Sequence, residues 1–167
     1  MRAEYGRMSA LVKTSGAMTN QAGPPNYNTA AITTHISKED GMANHAMEVW
    51  RIFSKPDGTS SMEKVAFTLE PQGSGWSSPQ MNGKGFVVKR LKRDMQAKWH
   101  TAPRRQMGYT IYGEGEIETG DGQKLVVRPG VVTLLEDLTG KGHLTRGHGE
   151  GDRMIVFTAL DDDVKVV

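Results

Sequence analysis

The chain has 167 residues, a length typical of one domain and sufficient to bury a core without covalent cross-links. It contains no cysteine, which excludes a disulfide scaffold, a thiolate zinc site and a cysteine nucleophile. Its 21 basic and 19 acidic residues give a formal net charge of +2, too small to indicate a nucleic acid or a membrane as partner. The 20 glycines make up about 12 % of the 167 residues, above the average usage of roughly 7 %, and this excess disfavours a helical bundle.

Residues 1–44 have no sustained apolar period of either the helical or the strand kind. The paired prolines of Gln21-Ala-Gly-Pro-Pro-Asn-Tyr-Asn28 fix φ and remove two backbone donors, which favours a turn or an extended linker. We predict an irregular N-terminal extension over residues 1–44, either flexible or serving as a dimer arm, and a folded domain over residues 45–167. No apolar run has the length of a membrane helix and no signal-peptide pattern follows Met1, so we expect a cytoplasmic protein.

From residue 45 onward, short apolar or alternating runs end repeatedly at Gly, Pro, Asp or Ser. They predict strands over residues 46–53, 62–69, 85–91, 104–112, 114–119, 123–127, 131–135, 143–146 and 153–160. Turns are predicted at Lys55-Pro-Asp-Gly58, Gly120-Asp-Gly122 and Arg128-Pro-Gly130, because Gly and Asp tolerate positive φ and Pro presets a turn position. Short, evenly spaced strands are typical of a sandwich or a barrel, here of about eight to ten strands.

Two of the five histidines lie close to predicted strands. His100 precedes the predicted strand that contains Gln106, and His143 follows the loop that ends in Gly140-Lys-Gly142. Imidazoles carried from two strands into a barrel mouth can form a metal site or an acid–base site, because histidine titrates near neutrality and binds transition metals. The alternative is a pair of structural histidines with satisfied hydrogen bonds in the core.

The spacing around these histidines resembles the cupin family. The first cupin motif reads Gly, five residues, His-x-His, three or four residues, Glu, six residues, Gly. From its first histidine onward, its positions are occupied here by His100, Ala102, Gln106 and Gly113. The second motif reads Gly, five residues, Pro-x-Gly, two residues, His, three residues, Asn, and it is matched by Gly140 and His143. The resemblance covers residues 84–160, about half of the chain.

Several motif positions depart from the cupin pattern. Asp94, Leu138 and Gly147 stand where the motifs have Gly, Pro and Asn. Cupin metals are usually held by three histidines and one glutamate, whereas here Ala102 donates nothing and Gln106 is a neutral donor. The resemblance implies that a divalent metal, namely Fe, Ni, Zn or Mn, would be held by His100, Gln106 and His143. The alternative that it leaves open is a site without a cofactor.

The resemblance implies an all-β fold, namely a cupin-type antiparallel β-barrel, the jelly-roll-like double-stranded β-helix of that family. It implies a small-molecule enzyme that carries out lyase, isomerase or cyclase chemistry on a small polar or anionic organic substrate, by acid–base or metal-assisted proton transfer. Oxygenase chemistry is less expected, because few of the usual cupin metal ligands are retained. The alternative is a non-catalytic cupin that binds a small metabolite or has a structural role. Cupins often dimerise through edge strands and N-terminal arms, so a homodimer is expected.

The candidate catalytic residues are His100, His143, Arg104, Tyr112 and Asp137. Strict alternation from His100 places on one interior face the residues Ala102, Arg104, Gln106, Gly108, Thr110 and Tyr112. On that face Arg104 is expected to clamp an anion, with His100 or His143 as general base.

Asp137 and the basic segment over residues 84–106 each have two interpretations. Asp137 either accepts backbone N–H bonds from Thr139 or Gly140 in its own loop, or orients His143. The basic segment contains eight basic residues and one acidic residue, but few aromatic side chains for base stacking. We therefore expect this segment either to form a solvated face or to attract anionic substrates, and we expect no nucleic-acid partner.

Overall fold

The computed structural model describes residues 45–164, so the predicted N-terminal extension lies outside the described residues. The described chain forms twelve strands and no helix. These residues therefore contain no helical segment that could span a membrane. The strands are β1 (Ala46–Ser54), β2 (Ser60–Thr68), β3 (Glu70–Gln72), β4 (Gly75–Ser77), β5 (Gly83–Leu91), β6 (Trp99–His100), β7 (Gln106–Tyr112), β8 (Glu114–Glu118), β9 (Lys124–Val127), β10 (Val132–Glu136), β11 (His143–His148) and β12 (Arg153–Leu160). The all-β prediction is confirmed.

The predicted strands and turns agree closely with the observed ones. Each of the nine predicted strands occurs, with its ends displaced by two residues at most. The predicted turns are present as well, and Gly58 and Gly122 occupy their left-handed positions at φ values of 81° and 87°. Sequence reasoning missed β3, β4 and β6, because strands of two or three residues are too short to show an alternating pattern.

Ten of the strands form two larger sheets. The six-stranded sheet has the order β2-β1-β10-β7-β12-β5 and the four-stranded sheet the order β6-β11-β8-β9, while β3 and β4 form a separate hairpin. Paired strands run antiparallel except β1 and β10, which run parallel with Trp50 opposite Thr133. This parallel pair is an exception within sheets that are otherwise antiparallel, as predicted. β1 and β10 are far apart in the chain, so no hairpin turn constrains their relative direction.

The six-stranded sheet is buried on both faces near its centre. Leu134 and Leu135 are neighbours on β10, point to opposite faces and are both buried. Leu134 packs in a cluster with Val49, Phe67, Met107 and Leu160. Leu135 packs in a second cluster that includes Ile117 and Val127 from the four-stranded sheet. This second cluster brings the two sheets face to face, and the candidate site lies beside it.

β5 is the edge strand of the six-stranded sheet beyond β12. It is exposed along almost its whole length, and Phe86 is 72 % exposed. Val87 and Val88 are exposed as well. The expected homodimer stays a prediction.

Candidate functional site

A cavity of about 350 Å³ lies between the two larger sheets. The predicted residues His100, Gln106 and His143 line it together. Its apolar wall includes Ile117, Leu135, Ile155 and Phe157, and its other polar or charged lining includes Lys89, Thr101, Thr133, Thr145 and Arg153. A small apolar cavity with a few convergent polar groups is the usual form of a small-molecule site.

β6 and β11 bring the two histidines together. His100 and His143 are directly opposite each other in this antiparallel pair. Their ring centroids are 4.5 Å apart, and the ring planes are tilted by 56°. The two side chains can therefore act on the same small molecule, although they are 43 positions apart in the sequence.

A buried carboxylate holds the ring of His143. Nδ1 of His143 lies 2.6 Å from Oδ2 of Asp137, and the two residues are only 3 % and 0 % exposed. Donation of Nδ1–H to the carboxylate leaves Nε2 as the ring nitrogen free to act on a ligand. The backbone N–H of Thr139 instead donates to Oγ of Ser54. Of the two interpretations of Asp137, the structure has the one in which it contacts His143.

A backbone carbonyl holds the ring of His100. Its Nδ1 lies 2.9 Å from the carbonyl oxygen of Lys98. A carbonyl oxygen only accepts hydrogen bonds, so Nδ1 of His100 must carry the hydrogen. Nε2 is then the free nitrogen of this ring too, and the two histidines offer the same atom to the cavity.

The loop that carries Asp137 is fastened to the segment after His100. The backbone N–H of Ala102 donates to the carbonyl oxygen of Asp137 at 3.1 Å. Oγ of Ser60 donates to the carbonyl oxygen of Gly142 at 2.6 Å. Gly142 has a φ of 69°, and a Cβ there would overlap the carbonyl oxygen of His100. Glycine is therefore required immediately before His143.

Arg104 and Tyr112 do not line this cavity. β6 ends at His100 and β7 begins at Gln106, so the alternation is not continuous through Pro103, which lacks a backbone donor. Arg104 is exposed and lines an adjoining cleft of about 100 Å³. A register shift of β12 against β7 lies between Met154 and Ile155, and Tyr112 beyond it is 43 % exposed. The expectation of one interior face that includes Arg104 and Tyr112 is wrong.

Sequence reasoning missed Arg153, the first residue of β12. It lines the cavity and is only 4 % exposed. Its Nε and Nη1 atoms are buried without a hydrogen-bond partner among the described residues. Burial lowers the pKa of Arg153 to about 10, so it stays charged near neutral pH. Alternation along the predicted strand was the available signal, because it places Arg153 on the same face as apolar Ile155 and Phe157.

The donors in the cavity do not complete the cupin metal set. Among residues 45–164, no cluster of three or more His, Cys, Asp or Glu side chains is suited to hold a metal ion. His100 and His143 offer two imidazoles and Gln106 a neutral amide, while Arg153 and Lys89 in the same lining oppose a divalent cation. These residues do not fit a tightly held metal. The metal stays a prediction, testable by the metal content of protein purified without chelators.

Comparisons with known proteins give no family assignment. No protein-family model matches the chain, and no curated protein does. Among solved structures, the protein NMB1881 from Neisseria meningitidis is similar, at 19 % identity over 50 % of this chain and 84 % of its own, with a TM-score of 0.38. Another, from Salmonella typhimurium LT2 and assigned as ethanolamine utilization protein Q, has 10 % identity over 69 % of this chain and 97 % of its own, with a TM-score of 0.35. The description of the fold therefore rests on the strands and registers of the chain itself.

Proposed function

We propose that residues 45–164 form a cupin-like small-molecule enzyme, in which the cavity binds a small polar or anionic organic substrate and His143 moves a proton on it. The observation that carries the proposal is the buried hydrogen bond between Nδ1 of His143 and Asp137, together with the position of His143 on the cavity wall. A histidine whose second nitrogen is held by a carboxylate is oriented for proton transfer at the first.

The proton step uses this chain's own side chains. Nε2 of His143 accepts a proton from a C–H bond next to a carbonyl group of the substrate, and the electron pair of that bond moves into an enolate. The carboxylate of Asp137 stabilises the imidazolium that results. If a conjugated C=C bond extends the enolate, return of the proton to its far carbon is an isomerisation. If the carbon next to the deprotonated one carries a leaving group, its departure with a bonding pair is a lyase reaction. In this proposal His100, whose ring centroid is 4.5 Å from that of His143, serves the second proton transfer.

The walls of the cavity suit this chemistry. Leu135 and Ile155 are almost completely buried, and Phe157 is partly buried on the same wall. Apolar walls reduce the water around a developing charge and so strengthen its interaction with the two imidazoles.

Proton exchange tests the enzyme proposal directly. The full chain is incubated in D₂O with pyruvate, oxaloacetate and dihydroxyacetone, and loss of the C–H signals next to the carbonyl is followed by proton NMR. We expect at least one compound to exchange faster than without protein, and His143→Gln to abolish the gain. His148→Gln is the matched control, because His148 is an exposed histidine that does not line the cavity.

The same experiment evaluates the non-catalytic alternative. Binding of these compounds, seen as a rise in melting temperature, without faster exchange would overturn the enzyme proposal and favour a metabolite-binding protein. Faster exchange that survives His143→Gln would overturn the role of His143.

A further inference from the structure

We infer that the ligand of this cavity carries a carboxylate group and that Arg153 binds it. The inference rests on the proposed function for the location of the ligand, and it adds a substrate class and a binding residue. Neither the motif spacing nor the comparisons point to Arg153.

The first observation is that Arg153 is buried without a partner. Other arginines of the described chain form ion pairs, such as Arg51 and Arg105 with Glu136 and Arg146 with Glu118. Arg153 is more deeply buried than these, yet no acidic side chain among the described residues pairs with it. A buried charge without compensation is costly, so its presence in a cavity wall indicates that a ligand supplies the opposite charge.

The second observation is the charge of the cavity lining. Lys89 is a second cationic side chain on the wall, and none of the described lining residues is acidic. The nearby carboxylate of Asp137 does not line the cavity and already accepts the Nδ1–H of His143. The hydroxyl of Thr145 adds a neutral hydrogen-bond donor to the same wall. The cavity therefore attracts anions and repels cations.

The third observation is the shape of the space around the guanidinium. Gly115 lies on β8 directly opposite Gly147 on β11. A Cβ at Gly115 would overlap Nη1 of Arg153, so the guanidinium in its present position occupies space that a larger residue at 115 would fill. One side of the head group therefore packs against the backbone at Gly115.

A carboxylate suits both this guanidinium and the proposed chemistry. The guanidinium is a planar fork that matches the two oxygens of a carboxylate. The same fork can also bind phosphate oxygens, so inorganic phosphate is a separate arm of the test. A carboxylate next to the carbonyl group would also place an acidic C–H bond near His143, which links the binding residue to the proposed chemistry.

Calorimetric titration of the full chain with pyruvate and malonate tests the inference, with pyruvamide and malonamide as uncharged matches and inorganic phosphate as a separate arm. We expect at least one carboxylate to bind and its amide to bind at least tenfold more weakly. Arg153→Met should raise the Kd of that carboxylate about 10- to 100-fold, and Arg153→Lys should restore part of the loss. Arg128→Met is the control, because Arg128 is exposed and does not line the cavity.

Three results would overturn the inference. They are equal binding of the acids and their amides, an unchanged carboxylate Kd in Arg153→Met, and selection of phosphate over every carboxylate. If Arg104→Met lost carboxylate binding while Arg153→Met bound normally, the carboxylate would be assigned to Arg104, the arginine that strand alternation predicted.

The inference and the proposed function can fail separately. Arg153-dependent carboxylate binding without proton exchange leaves the inference intact and overturns the enzyme proposal. If His143-dependent exchange occurs on dihydroxyacetone and binding shows no preference for carboxylates, the enzyme proposal stands and the inference is overturned. If Arg153→Met does not fold, the tenfold preference for acid over amide in the wild-type protein and the Arg153→Lys titration still decide the question.

Discussion

His143 and Asp137 form a hydrogen-bonded pair closed to solvent, with Nδ1 of the imidazole 2.6 Å from Oδ2 of the carboxylate. Asp137 lies in the loop between β10 and β11, and His143 is the first residue of β11. The other carboxylate oxygen, Oδ1, is buried and has no partner in the described structure. Among the described residues, Asp137 supplies the hydrogen bond to the ring of His143, so Asp137 is a positioning residue.

Replacement of Asp137 tests this dependence. Asp137→Ala leaves Nδ1–H of His143 buried without an acceptor, and we expect the free energy of unfolding to fall by about 1–3 kcal/mol. Nitrogen NMR of the imidazole should also lose the single Nδ1–H tautomer of His143, a change that lost packing alone would not produce. Asp163→Ala, at an exposed position, should change stability by less than about 0.5 kcal/mol. An unchanged His143 tautomer in Asp137→Ala would contradict the positioning role.

Gly142 is a second point on which the histidine pair depends. Gly142→Ala combines a positive φ with overlap between the new Cβ and the carbonyl oxygen of His100. Gly122→Ala is a matched control, because Gly122 also has a positive φ but no atom within 4 Å of an added Cβ. We expect urea unfolding to show a cost of about 1 kcal/mol for the control and at least about 2–3 kcal/mol for Gly142→Ala. Equal costs would mean that the contact with His100 is unimportant.

Glu136 makes stability depend on pH. Burial alone would raise the pKa of Glu136, but hydrogen bonds from Arg51 and Arg105 outweigh it and hold the pKa below its ordinary value. Because the pKa is lower in the folded state, ionised Glu136 contributes stability that is complete above the pKa of the unfolded state. This stability is lost as the pH falls through the pKa of the folded state.

Urea unfolding between about pH 6 and pH 3 measures this contribution. Glu136→Gln should be less stable than the wild type near pH 6, and the difference should shrink as the pH falls. Glu70→Gln, an exposed glutamate on β3, should follow the wild type. A difference between Glu136→Gln and the wild type that does not change with pH would contradict the proposed ionisation.

Arg153 should lower stability in the absence of a ligand. Arg153→Met removes a buried charge without a partner and keeps an apolar stem of similar length, so we expect the Tm to rise by about 3–6 °C. Arg153→Lys keeps a charge at this position and should show no such rise. A lower Tm for Arg153→Met in ligand-free protein would mean that the guanidinium already has a stabilising partner.

The strands and the main turns were predictable because their signals are local. Alternating apolar residues, and glycines such as Gly58 and Gly122 at positive φ, act over a few neighbouring residues. The resemblance to the cupin motifs also selected three residues that do line one cavity, namely His100, Gln106 and His143. Arg104 was misplaced because alternation does not hold where the chain leaves the strand between β6 and β7.

The remaining parts of the site were not predictable because they depend on which distant strands meet. The amino-acid sequence by itself determined an all-β chain with one histidine just before a predicted strand and another at the start of a strand. Only the tertiary structure decided that these histidines lie opposite each other and that Arg153 lies unpaired in the same cavity. The physical reason is that strand register and sheet packing are set by long-range contacts, whereas alternation and turn residues act locally.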